Sequence, residues 1–514
     1  MPTPPATDYQ PVPLQFKPGI QRDGTEFASS ACLDGQWVRW QRGVPRKIGG
    51  YGSTTNYLSG ISRQLHVQNS DGYTYVHSGW QDGCEQVILQ GGSQVGNIND
   101  RTPVGFTADV NNGWQWDAMW DAGSSGTYII GHAAPYLNCI CDDTDRDIYA
   151  GDILGSGALT AISSISVSGG IVALHPYLFA YGNDGFVAWS VANQPTDFTN
   201  AGSGDARIAS TKIVRGLPLR GGSGNSPAGL LWSLDNLLRV TFVGGTALWD
   251  FDTISSQSSI LSPNGVIEYD GVYFWPGVDR FMFFNGVLRD MPNDYCQNYF
   301  FDNLNYSVRS KVFAFKVPRY GEIWWCYPRG SATECTHAVI FNTRENCWYD
   351  TTLPGGGRSA AMYAQVFRRP LVAGVDQSAT GYTLWQHEYG VDDINGNQIN
   401  PIQSYFTTPE VNLIAPEQGQ PQEKTLSVSL VEPDFVQDGP LSVTMQTRAN
   451  ARAPLVSATS RTITATASSP DEQVSFLHNS GRLVRFRFES NSVGGDYQMG
   501  KPVLHLKPDV GKYL

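Results

Sequence analysis

From about residue 61 to residue 408 one hydrophobic pattern recurs: an apolar or aromatic run, a tight turn of Asp, Asn and Gly, then a second aromatic run. Residues 64–68 turn through Asp71-Gly72 into 73–77, and residues 177–181 turn through 183–185 into 186–190. Residues 266–269 turn through Asp270-Gly271 into 272–275. Asp-Gly and Asn-Gly steps supply the positive φ angles that two-residue hairpins require, so each copy predicts a β-hairpin. Further pairs follow at 228–233 with 238–243, 311–317 with 322–327, 338–342 with 347–349, and 371–375 with 382–388. A multi-stranded unit repeated every 40–50 residues is the signature of propeller blades, each burying its faces on its neighbours. The length accommodates five to seven blades, with six favoured; stacked β-sandwiches are the alternative, disfavoured because the repetitive region is long and holds no polar linker.

The texture changes after Thr408. Residues 409–424, rich in Pro, Gln and Glu, read as a linker, and 425–514 as a separate β-sandwich-like domain with strands near 425–430, 441–447, 462–467, 473–477, 483–489 and 502–506. Within 483–488 the alternation sets Arg485 and Arg487 opposite Val484, Phe486 and Phe488. Residues 1–60 read as an extended strap leading into a propeller domain of residues 61–408. In the strap, a strand through Trp37 would put Trp37, Arg39 and Gln41 on one face and Val38 and Trp40 on the other, and both faces need covering.

Composition agrees with an all-β chain: 16% of residues are charged and 12% aromatic, with 55 Gly and 30 Pro, which favours short strands and tight turns over surface helices. The formal charge of −12 argues against a general nucleic-acid binder, which needs clustered Lys and Arg to displace counterions. It does not argue against a channel through which DNA slides. The eight cysteines are scattered without the density of a disulfide framework, so reduced thiols are expected, and Cys139 and Cys141 have neither redox nor zinc-knuckle spacing. With no signal-peptide pattern and no long apolar run, the chain is expected to fold in a cytoplasm without a membrane segment.

Candidate chemistry is sparse. Residues 495–501 (GDYQMGK) carry phosphate-loop spacing, but Pro502 stands where Ser or Thr would hold magnesium. Asp143, Asp145 and Asp147 have calcium-loop spacing, yet Ile148 replaces the required Gly and Leu154 the bidentate Glu, so a solvated turn is expected. His132 and His175 read as structural. Trp275, Asp279, Arg280, Asp290, Glu322, Trp324 and Trp325 form the set from which a glycosidase or sugar site would be drawn, but their hairpin positions suit blade packing better. No catalytic, cofactor-binding or metal residue is assigned.

Several segments together resemble a known family. Pro18-Gly19-Ile20, Thr25, Trp37-Val38-Arg39-Trp40 and the ending Gly43 to Gly50 (GVPRKIGG) are similar to the N-terminal signature of the tail nozzle proteins of short-tailed bacteriophages, also called tail tubular or packaged-DNA stabilisation proteins. Residues 270–275, 277–281, 284–286, 300–305, 322–328 and 334–349 resemble successive segments of that family in its order; the likeness spans most of 18–410 and fades beyond. The resemblance implies a non-enzymatic homo-oligomeric ring, hexameric in expectation, in the virion tail and assembled in the host cytoplasm. It would sit below the portal and tail adaptor, dock tail fibres or spikes, and pass double-stranded DNA along its lumen without sequence specificity. Arg220, Gly221, Gly222 and Asn225, in the glycine-rich segment 216–227, are the candidate channel or gate loop. Trp37, Arg39, Trp40, Arg42, Arg46 and Lys47 are candidate assembly contacts, with the basic groups facing acidic neighbours. The competing functions are a receptor-binding or fibre-docking tail protein and a polysaccharide-degrading tail enzyme.

Overall fold

The hairpin turns form where the sequence places them. Asp71 and Gly72 stand at φ 51° and 82°, Asp270 and Gly271 at 50° and 80°, and Asp184 and Gly185 at 51° and 62°, the left-handed conformations that match strand twist. In the computed structural model, which describes residues 9–26, 29–220, 227–364, 368–378, 381–411, 425–465 and 474–509, these hairpins assemble into consecutive four-stranded antiparallel sheets.

Among the described residues there are seven blades, one more than the favoured six; a short strand is added to the first, and two to the seventh. Blade one is Gln64–Ser70, Tyr73–Trp80, Gly83–Gln90 and Ser93–Gln94; blade two is Gln115–Asp121, Gly126–His132, Arg146–Asp152 and Thr160–Val167. Blade three is Gly170–Leu174, Tyr177–Tyr181, Phe186–Trp189 and Gly204–Arg207; blade four is Ile213–Pro218, Ala228–Ser233, Leu237–Phe242 and Trp249–Ser255. Blade five is Ile267–Tyr269, Val272–Pro276, Phe281–Phe284 and Leu288–Asp290; blade six is Phe313–Val317, Glu322–Tyr327, His337–Asn342 and Cys347–Thr352. The count differs because blade two carries no predicted hairpin and the seventh blade is built from two distant pieces. Arg358–Met362, Leu371–Ser378 and Gly381–His387 take as their outer strand Tyr51–Leu58 from the strap. No local repeat reveals that pairing. The innermost strand of blade seven lies beside that of blade one, which closes the ring and makes the chain a β-propeller.

The rest of the strap enters the C-terminal domain. Gln10–Pro13 pairs with Val503–Asp509, which continues through Thr425–Glu432 to Ser475–Gly481. Asp34–Gln36 pairs with Ser404–Thr407 at the edge of a sheet that continues through Leu483–Ser490 and Leu441–Arg448 to Val456–Ile463. A third sheet joins Val38–Gln41 and Val44–Lys47 to Asp496–Met499 and Phe435–Asp438. The predicted linker falls largely at 412–424, outside the described residues.

The C-terminal domain is not separate from the propeller. One buried core runs from Leu426, Val443, Phe486, Phe488 and Leu506, through Ile20, Trp37, Val38 and Trp40 of the strap, to Phe315, Trp324 and Tyr349 of blade six and Trp385 of blade seven. Val484, Phe486 and Phe488 are buried as the alternation predicts, with Arg485 and Arg487 on the wetter face. Six cysteines are free and buried, whereas Cys139 and Cys141, expected as thiols, form a disulfide.

Candidate functional site

Two places concentrate chemistry. At the first, the strap is riveted to blades six and seven. Trp37 stands at φ 53°, which breaks the strand between Asp34–Gln36 and Val38–Gln41, so the simple two-face alternation through it fails. Its backbone N–H donates to Thr351 Oγ1 at 2.9 Å and its indole N–H to the Gly49 carbonyl at 3.1 Å, while the ring packs on Tyr51, Trp324 and His387. Trp40 packs on Tyr349.

Arg39, buried completely, lies over the Tyr320 ring, 3.7 Å from its centroid, and pairs with two carboxylates, Glu322 at 2.8 Å and Glu388. Glu322 also accepts from the Trp324 indole N–H at 3.0 Å and the Tyr349 hydroxyl at 2.5 Å. One guanidinium between two buried carboxylates leaves the site one negative charge in excess if both ionise. The two acids respond in opposite senses. For Glu322, burial dominates and, with repulsion from Glu388, raises its pKa against the pull of Arg39. For Glu388, burial also acts upward, but Arg39 and His387 together outweigh it and hold the carboxyl below its ordinary value. Burial opposes the charge on Arg39, yet the two carboxylates more than offset it and keep the guanidinium firmly protonated.

These contacts correct the assembly reading. Trp37, Arg39, Trp40 and Lys47 are buried inside the protomer, so none is available to a neighbouring subunit. Lys47 donates to the Gly495 carbonyl at 2.6 Å, and burial lowers its pKa. Arg42 is exposed but tied through its backbone: its N–H and that of Gly43 donate to the Glu345 carboxylate at 2.7 and 2.9 Å, fastening the strap hairpin to blade six. Arg46 is half-buried and donates to Gln41.

At the second place, the innermost strands converge on the propeller axis around a cavity of about 240 Å³. Six of the seven blades line it, with Arg63, His66, Trp116, Arg215, Asn264, Glu268, Phe315, Lys316 and Met362 among the contributors. Arg63 makes a two-pronged pair with Glu334 at 2.8 and 3.0 Å, and Lys316 reaches Glu268 at 3.2 Å. Arg220, the described member of the candidate gate loop, lies at this cavity: its backbone N–H donates to the Tyr273 hydroxyl and its guanidinium stands 3.8 Å from Glu268. Gly221, Gly222 and Asn225 lie outside the described residues. Burial lowers the His66 pKa to about 4, so its ring is neutral near pH 7.

The other candidates are not brought together. Glu322 is fully buried in its ion pair, whereas Asp279 and Asp290 flank Arg280 on an exposed edge of blade five. Trp275, Trp324 and Trp325 are core residues. His132 is buried against the Val167 carbonyl, and burial lowers its pKa to about 4. The acidic run is a turn in which the Asp142 carbonyl accepts from Lys212, and no group of three metal-ligating side chains occurs among the described residues. Residues Asp496–Met499 form a strand, which excludes a phosphate loop there. Sequence reasoning named Arg39 and Glu322 separately but not their pairing. It missed the cationic axial cavity, because its cations are scattered singly along the sequence from Arg63 to Lys316.

The architecture defines the class: a seven-bladed β-propeller closed by an N-terminal strand and welded to a β-sandwich. No protein-family model matches the chain, and no curated protein matches it. Among solved structures, the β-propeller domain of Cps50 (Swd1) from Myceliophteria thermophila is similar over 66% of this chain and 99% of its own, with 11% identity and a TM-score of 0.39. The computationally designed Ika8 protein is similar over 72% of this chain and 99% of its own, with 10% identity and a TM-score of 0.34. Likenesses this distant carry no functional argument.

Proposed function

We propose that this chain is a structural subunit of a short-tailed bacteriophage tail, a nozzle protein forming a homo-oligomeric ring that conducts DNA and retains it until ejection. The observation that carries the proposal is the weld between the parts. The residues most similar to the nozzle signature, Trp37 to Trp40 and Gly43 to Gly50, thread the C-terminal domain and fix it to blades six and seven through a shared core. A conduit for pressurised DNA needs a protomer whose domains do not hinge, and a continuous buried core with a buried charge network meets that need. The non-enzymatic part of the proposal is supported by the separation of the carboxylates Asp279 and Glu322, one exposed and one buried. Arg39 and Lys47 hold the protomer together, so the ring contacts are assigned to other surfaces.

The test is electron microscopy of the purified protein and of virions containing it. Closed rings and an axial density below the portal are the expected result. A chain that remains monomeric at all concentrations and occupies a peripheral tail position would overturn the proposal in favour of receptor binding, which pull-down on host lipopolysaccharide would then detect.

A further inference from the structure

A propeller axis is a narrow well, and its lining shows what it was shaped to hold. This chain carries a formal charge of −12, yet four cations, Arg63, Arg215, Arg220 and Lys316, line the axial cavity against one lining carboxylate, Glu268. Arg63 is matched from outside by Glu334. Glu268 is shared: Lys316 reaches it at 3.2 Å and Arg220 at 3.8 Å, with the Arg220 side chain 60% exposed.

The Arg215 side chain has no direct partner. It has no hydrogen-bond or ion-pair partner among the described residues, and its buried Nε is unsatisfied. Asp117, whose oxygens each accept one backbone N–H at 2.8 Å, from Ala118 and from Ala173, acts on it electrostatically without a direct bond. Three more buried polar atoms on cavity residues lack partners: the indole Nε1 of Trp116, Nε2 of His66 and Oδ1 of Asn264. Trp116 is only 8% exposed, so its N–H is withheld from bulk water. Buried polar atoms left unpaired are costly, and the unpaired donors Arg215 Nε and Trp116 Nε1 beside one cation-lined cavity mark a place where a ligand supplies acceptors.

We propose that the axial cavity binds a small phosphate-bearing ligand, with Arg215 as the principal anion-holding group, Arg220 and Lys316 completing the charge, and Trp116 donating to it. With Glu334, Glu268 and Asp117 set against the four cations a positive surplus remains, which favours an anion, and guanidinium geometry suits phosphate oxygens. A volume of about 240 Å³ admits inorganic phosphate or a monosaccharide phosphate. The proposal is independent of ring formation.

The test is calorimetric titration of the full chain with inorganic phosphate, glucose 6-phosphate, glucuronate and glucose. Saturable binding of inorganic phosphate or glucose 6-phosphate is expected, weakened roughly ten- to a hundredfold in Arg215→Met. Arg220→Met, a change at an exposed side chain, weakens it by about threefold and decides the matter if Arg215→Met does not fold. Arg239→Met on the outer part of blade four, where Arg239 pairs with Asp252, is the control and leaves binding unchanged. Absence of saturable phosphate binding, binding unaltered in both cavity variants (an adventitious ion only), equal loss in the control, or glucuronate binding as tightly as the phosphates would each overturn it.

Discussion

Replacing Arg39 by Met tests whether the buried charge network holds the strap in place. The substitution leaves Glu322, with no exposed side-chain surface, and Glu388, 12% exposed, facing each other without their cation. Breaking a buried ion pair by removing one partner costs about 3–5 kcal/mol. That is a large fraction of the 5–15 kcal/mol typical of a folded domain. Tryptophan fluorescence during urea unfolding should report it, since Trp37 and Trp324 flank the site.

The pH dependence sharpens the test. In the native chain the Glu388 pKa lies below its unfolded value, so its contribution is present above the unfolded pKa and lost as pH falls through the folded one. In Arg39→Met both carboxylates keep their burial and lose their counter-charge, so both are raised, and acidification relieves the variant. The stability gap should therefore narrow between about pH 7 and pH 4. Because Glu322 is already raised, Glu322→Gln should be milder at neutral pH than Glu388→Gln. The triple change Arg39→Met, Glu322→Gln, Glu388→Gln should recover most of the loss. A cost below about 1 kcal/mol at pH 7, or a gap that does not narrow in acid, would refute the reasoning.

Further predictions follow from packing and covalent structure. Trp37→Ala should cost about 3–5 kcal/mol in urea unfolding, because the ring is fully buried among Tyr51, Trp324 and His387; a cost near zero would contradict that packing. Gly50→Ala should destabilise by roughly 1–3 kcal/mol, since a Cβ there would stand 2.1 Å from the Asp392 carbonyl oxygen, and unchanged thermal stability would show that the loop yields freely. Thiol titration of the denatured, unreduced protein should find the six free cysteines and, after reduction, all eight; eight without reduction would remove the Cys139–Cys141 bond.

The hairpins were legible because Asp71-Gly72, Asp184-Gly185 and Asp270-Gly271 encode their own backbone angles. The blade count was not, because Tyr51–Leu58 pairs with Gly381–His387 across more than three hundred residues, and a strand says nothing local about so distant a partner. Strap tryptophans announced burial without saying where, so an assembly role and an internal one looked alike until Thr351 and Tyr349 were seen beneath them. The axial cavity escaped for a related reason. Arg215 becomes conspicuous only when the ring closes and its neighbours turn out to belong to other blades.

Ring closure by the strap also sets a schedule. Thr54 and its partner Leu384 are 330 positions apart, so at a synthesis rate of roughly 5–20 residues per second the first strand waits roughly 15–65 s for its neighbour to be made. During that interval six blades can form locally, but the circle stays open and Tyr51–Leu58 has no strand to pair with. A polypeptide that ends before Gly381 never acquires the strand its own beginning must join. The closure thus acts as a length check, admitting to the closed propeller only chains translated past about residue 387.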